Sequence, residues 1–107
     1  TLEVAPRHLQ HSGQVHAGVL ATMADHTAGA AAQTLAGEGL FVATAELKIS
    51  LLRPAKGERL ICRGRVLKPG KQLSFVEAEV HCIAAGKEHL VAKVSATMAM
   101  VSQKNLA

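Results

Sequence analysis

Asp25 is the only aspartate in the chain, and it stands in HAGVLATMADHTAGAAAQTLAG, His16 to Gly37, a run of alanine, glycine and short apolar residues. An isolated carboxylate in such a setting costs stability unless water or a partner holds it. It offers a general base or a nucleophile toward an electrophilic carbon. The bland alternative is structural: Asp25 caps a break in a helix, or pairs with a basic group at a subunit interface.

The same run opens with Ala17 and Gly18. If a helix starts here, its first turn presents unpaired N–H groups and the positive end of the helix dipole. Side chains this small let a substrate carbonyl approach the backbone, where the free amides would stabilise an oxyanion forming from it. They equally allow a helix start to pack tightly against a strand. Asp25 lies eight residues beyond Ala17, which is about 12 Å along one helix. One carboxylate cannot attack a carbonyl held that far off. Either Asp25 is not catalytic, or the site joins the helix start of one subunit to Asp25 of another across a two-fold axis.

Other reactive residue types point elsewhere. Of the six histidines, none forms the H-x3-H pair that puts two ligands on one helical face, so no metal site is expected. His16 is expected to fix the loop before the helix through side-chain hydrogen bonds, and His26 to face a different side from Asp25; His81 and His89 read as strand-surface residues. Cys62 and Cys82 lack metal spacing and read as buried, reduced thiols of a cytoplasmic protein. Arg53, Lys68 and Lys71 sit at or beside strand ends and loops, with Gly70 in the Pro69-Gly70-Lys71 turn. Such loop-tip cations suit a small polyanion. Lys48 and Lys93 alternate with apolar neighbours and read as strand exteriors.

Composition bounds the partners. The formal charge of +4 comes from 12 basic and 8 acidic residues without a like-charge run, and there are two Phe but no Trp or Tyr. Neither a clustered basic face nor stacking platforms for nucleic acid are present. No signal peptide is visible and no apolar run reaches the ~18 residues of a membrane span. With 107 residues, a single domain over 1–107 is expected. The chain begins at Thr1 without methionine, and an upstream segment is expected to be missing.

These residues must be positioned by a small set of elements. From His16 to about Leu35 the Ala-rich sequence predicts one helix of about 20 residues, ended by Gly37 and Gly39. Thr22, Thr27 and Thr34 can bond back to its backbone, and its thin polar face predicts wrapping by other structure. LEVAPRHLQ reads as an initial strand. In FVATAELKISLL, Phe41, Ala43, Ala45, Leu47, Ile49 and Leu51 alternate with polar or smaller residues, predicting a half-buried strand stopped at Arg53-Pro54. RLICRGRVLK, LSFVEAEVHCIA and HLVAKVSATMAMV follow, separated by short glycine-bearing breaks suited to hairpins. The class is α+β, an antiparallel sheet curved around one long helix of small residues.

Three blocks in this order, GQVHAGVLATMAD, VATAELKISLLRPA and LKPGKQLSFVEAEV, followed by LVAKVSATMAMV, resemble the hotdog-fold acyl-CoA thioesterases of the phenylacetate-pathway (PaaI-like) type. The resemblance covers most of the chain. It implies that His16-Ala17-Gly18 corresponds to the family's H-G-G, with alanine for the middle glycine, whose backbone amide polarises the thioester carbonyl. It implies Asp25 as nucleophile or general base, Thr44 as the hydroxyl that helps position water, and Gln10 where many members carry asparagine. It further implies CoA phosphates held by basic residues near Arg53, Lys68 and Lys71, no metal or redox cofactor, and a dimer or dimer of dimers with the active site at the subunit interface. Two alternatives stay open: a hotdog hydratase or dehydratase of enoyl or hydroxyacyl thioesters, and a non-catalytic acyl-CoA-binding domain.

Overall fold

The computed structural model describes residues 1–102. In chain order they form β1 (Leu2–Glu3), a single 3-10 turn (Pro6–His8), α1 (Ala17–Gln33), β2 (Leu40–Leu51), β3 (Arg59–Lys68), β4 (Leu73–Ala84) and β5 (Lys87–Ser102). The initial strand is shorter than LEVAPRHLQ suggested: Leu2 and Glu3 pair with Leu60 and Arg59, and Leu9 makes only an isolated bridge to Val15. Pro6, which has no N–H to give a ladder, opens the 3-10 turn instead.

α1 is helical because alanine dominates it and nothing inside breaks it. Leu20, Ala24, Ala28 and Ala32 are its buried residues, a stripe at i, i+4 spacing on one face. Three of the four are methyl-sized, so the helix axis comes close to the sheet; a Cβ added at Gly64 of β3 would stand 3.2 Å from Thr27. Thr22 and Thr27 donate their hydroxyls to the carbonyls of Gly18 and Met23, both at 2.8 Å. The helix ends at Gln33, earlier than expected, where Leu35 and Ala36 turn their N–H groups back to Ala32 and Gln33. Gly39, at φ +76°, lies in the following turn.

The strands form one antiparallel sheet in the order β1-β3-β4-β5-β2. It curls so that each of the four long strands touches α1, over a core that includes Leu60, Val76, Val80, Val91, Val94 and Met98. Within one chain the wrapping is one-sided. Gly18, Thr22, His26 and Ala30 on the far side of α1 stay exposed.

β2 departs from the alternation read in its sequence. Thr44 lies opposite Met98 and Glu46 opposite Thr97, so Ala45 is an extra residue, a β-bulge. A one-residue insertion reverses which side chains face the core. Val42 and Thr44 therefore point inward before the bulge, and Leu47 and Ile49 after it; Val42, Leu47 and Ile49 all pack on the core. Phe41, Ala43 and Ala45, expected on the same face as Leu47, do not share it. Among the described residues, no helix is long and apolar enough to cross a membrane.

Candidate active site

The bulge is what delivers Thr44 to Asp25. Thr44 faces inward beside the fully buried Met98, with its Oγ1 3.5 Å from Met98 Sδ. From there the hydroxyl donates to Asp25 Oδ1 at 2.6 Å, the short range of a hydrogen bond to an ionised acceptor. Asp25 sits one position past the buried Ala24, on the flank of α1 that looks toward β2, and is half-buried. Its other carboxylate oxygen has no protein partner among the described residues.

Ala17 and Gly18 are the first two helical residues and both are exposed. Among the described residues their N–H groups bond to nothing, whereas those of Val19 and Leu20 reach back to the His16 carbonyl at 3.0 and 3.3 Å. Ala17 opens into a cleft of about 240 Å³ that Gln10, Leu20, Leu51 and Arg53 also line. Gln10 is held in a turn, with its N–H on the Gln14 carbonyl and its side-chain amide on Ser12 Oγ at 3.1 Å. Three expected site residues, Gln10, Ala17 and Arg53, are thus brought together at the start of the helix.

His16 acts differently from the expectation. The loop is tied by the His16 backbone N–H to the His8 carbonyl at 2.9 Å, and it is the His8 ring, through Nδ1, that takes the Ala5 N–H at 2.9 Å. The His16 side chain makes no hydrogen bond among the described residues and lies with Val19, Thr22, Met23 and His26 along the exposed side of α1. That side carries a hollow of about 820 Å³. It holds neither Asp25 nor Thr44, so it has no carboxylate with which to drive hydrolysis.

Lys68, Gly70 and Lys71 are exposed at the β3–β4 hairpin. Gly70 and Lys71 border a hollow with Leu35, Leu40 and Met100, at the other end of α1 from Arg53. The helix has 17 residues and is therefore about 25 Å long. One chain does not assemble Arg53, Lys68 and Lys71 into a single anion site. Gly70 also has a structural reason to be glycine, since a Cβ there would run into the Leu73 carbonyl.

Neither cysteine is a ready nucleophile, because burial pushes both the Cys62 and Cys82 thiols up and away from the reactive thiolate. Among the described residues, no three His, Cys, Asp or Glu side chains group as a metal site would require.

A profile of the thioesterase superfamily matches residues 12–88, from the turn before α1 to the first residues of β5. The chain belongs to that superfamily. A thioesterase family protein of Silicibacter pomeroyi superposes with a TM-score of 0.92 at 34% identity, over 94% of this chain and 74% of that one. A Bacillus halodurans protein solved with CoA gives 0.87 at 25% identity, covering 94% and 68%. A Ralstonia eutropha protein named as a thioesterase related to phenylacetic acid degradation gives 0.80 at 31% identity, covering 92% and 71%. A Caenorhabditis elegans protein named as an esterase is 36% identical over 86 residues, 78% of this chain, and the chain spans 50% of that relative's length. The hotdog fold and the phenylacetate-pathway type read from the sequence blocks are those to which this thioesterase-superfamily chain conforms.

Two residues of this superfamily member escaped the sequence reading. Met98 beside Thr44 was one apolar residue among several in its strand, and only the bulge pairs them. Gln33, a polar residue in the last turn of the helix, spans to β2: its Nε2 donates to the Leu40 carbonyl at 3.2 Å and its Oε1 accepts the Val42 N–H at 3.0 Å.

Proposed function

We propose that this chain hydrolyses an acyl-CoA thioester to the free carboxylate and CoA, in a site shared by two copies related by a two-fold axis. The observation that carries the reading is the placement of the two chemical halves. Asp25, oriented by Thr44, and the free N–H groups of Ala17 and Gly18 belong to the same helix, about 12 Å apart. The carboxylate of one copy therefore serves the carbonyl gripped by the helix start of the other.

In that site the Ala17 N–H donates to the thioester oxygen, where negative charge grows as the tetrahedral intermediate forms. Thr44 occupies Asp25 Oδ1, leaving Oδ2 to take a proton from water. The resulting hydroxide attacks the acyl carbon, the C–S bond breaks, and the electron pair leaves with sulfur as CoA thiolate. In the nucleophile variant the Asp25 carboxylate itself attacks, the C–S bond breaks with CoA thiolate leaving, and water then opens the mixed anhydride to release the acid and restore Asp25. Gln10 lies where its amide can orient water or carbonyl at the helix start.

The nucleotide end of CoA is the polyanion for which Arg53, Lys68 and Lys71 are suited, and the related Bacillus halodurans protein holds CoA. A cytoplasmic location belongs to the same reading, in keeping with two free thiols.

Thiol release from phenylacetyl-, benzoyl- and medium-chain acyl-CoA tests the function, with Asp25→Ala expected to lower turnover by about a hundredfold or more. Acyl-CoA binding without thiol release would favour a non-catalytic domain, and hydration of a crotonyl thioester would favour a hydratase.

A further inference from the structure

Gln33, the last residue of α1, grips the start of β2 by two groups at once: its Nε2 donates to the Leu40 carbonyl and its Oε1 accepts the Val42 N–H. A carbonyl and an N–H two residues apart point to the same edge of a strand. β5 lies on the other edge, so this end of β2 is held from both sides, by β5 and by α1. A carboxamide carries both the acceptor and the donor that the grip needs, in one plane, whereas a carboxylate has acceptors alone.

The grip falls beside the candidate site. Gln33 follows Asp25 by eight residues, and positions four apart stack on one face of a helix, so both stand on the flank of α1 that meets β2. Val42 precedes Thr44 by two residues and shares its face of the strand. Asp25–Thr44 and Gln33–Val42 are thus successive ties between one helix and one strand. On either side of this stretch the backbone has room to shift. Past Thr44 the ladder to β5 is interrupted by the bulge at Ala45, and before Leu40 the chain turns through Gly37 and Gly39, the latter at φ +76°. The hydroxyl of Thr44 reaches Asp25 at 2.6 Å, and a retreat of β2 by about 1 Å would take it past the range of a hydrogen bond. We infer that Gln33 is a positioning residue of the hydrolysis: by fixing residues 40–42 against the end of α1, it sets the depth at which Thr44 meets Asp25. The inference rests on the reading of Asp25 and Thr44 as the pair that activates water, and adds the group that keeps them within reach.

Gln33→Met keeps the length and the helix preference of the side chain and removes both bonds. It is expected to lower kcat by about tenfold, as a small misplacement does, with KM for the acyl-CoA unchanged within about twofold and the circular dichroism of wild type. The double variant separates positioning from general loosening of the fold. Where Gln33 acts through Thr44, Gln33→Met costs less than about twofold once Thr44→Val has removed the hydroxyl, because effects within one network do not multiply. Losses that multiply overturn the inference. Thr34→Ala is the control for the helix end, since the Thr34 hydroxyl donates only to the Ala31 carbonyl at 2.6 Å; it should leave kcat within about twofold of wild type. A loss as large as that of Gln33→Met would assign the effect to the helix end and overturn the inference as well. NMR of the full chain gives a readout that needs no turnover. Gln33→Met is expected to speed hydrogen exchange at the Val42 N–H and to move the Asp25 carboxyl carbon resonance to its position in Thr44→Val. An Asp25 resonance that stays at its wild-type position overturns the inference. Absence of thiol release from every acyl-CoA by wild type overturns the hydrolytic reading, and the Asp25 resonance then still decides whether Gln33 holds Thr44 in place.

Discussion

Thr44 Oγ1 stands 2.6 Å from Asp25 Oδ1, joining the middle of α1 to the bulge of β2. The single bond orients the chain's lone aspartate and couples it to β2, an edge strand of the sheet.

Removing the hydroxyl should act on turnover more than on folding. A hydrogen bond to a charged acceptor is worth about 1.5–3 kcal/mol, so Thr44→Val is expected to lower kcat by roughly ten- to a hundredfold. Thr44→Ser keeps the donor and should retain most of the rate. Equal rates in Thr44→Val and wild type would remove the hydroxyl from the mechanism.

The proposed oxyanion donor can be deleted without a side-chain change that disturbs the helix. Ala17 is the first helical residue, and His16 before it has φ −56° and ψ 139°, a conformation compatible with a following proline. Proline is tolerated at that helical position because its N–H would be unpaired anyway. Ala17→Pro is therefore expected to keep the thermal midpoint near that of wild type and to lower kcat by about a hundredfold or more. A rate loss accompanied by unfolding, read by circular dichroism, would leave the amide without support.

Packing of α1 on the sheet should be intolerant of volume. Ala24, Ala28 and Ala32 are fully buried, and crowding such a contact costs about 1–3 kcal/mol. Ala28→Leu is expected to lower the urea midpoint accordingly. Ala30→Leu, on the exposed side, should shift it little.

Acid stability should carry the mark of Glu88. Arg63 grips this carboxylate with two hydrogen bonds of 3.0 Å and holds it below the ordinary glutamate range. A carboxylate whose folded value is lowered contributes stability above its unfolded value, about 4.3, and loses that contribution as pH falls through the folded one. Wild type should exceed Glu88→Gln in stability near neutrality, and the gap should close below about pH 4. The pair is solvent-exposed, so salt should shrink the gap as well. A difference that is constant across pH, followed by denaturant melts, would exclude the ionic origin.

Much of this molecule follows from local pattern. β3 and β4 begin and end where alternation and glycine-bearing turns place them, and the β4–β5 turn uses Ala85 and Gly86 at φ 50° and 76°. The Ala-rich helix and its threonine back-bonds are local too, since acceptor and donor lie within four residues. The isolation of Asp25 and the small residues at 17 and 18 marked the candidate site because their types are visible without coordinates.

The rest depended on contacts between residues far apart in the chain. Alternation in FVATAELKISLL has no way to announce an extra residue at Ala45, because a bulge is defined by the opposing strand. For the same reason the inward turn of Thr44, its meeting with Asp25 and Met98, and the closure of the β2 edge by Gln33 had no local signature. Spacing along the helix limited what Asp25 can reach within one chain. Which strands lie at the edges of the sheet emerged only once the strands were laid side by side.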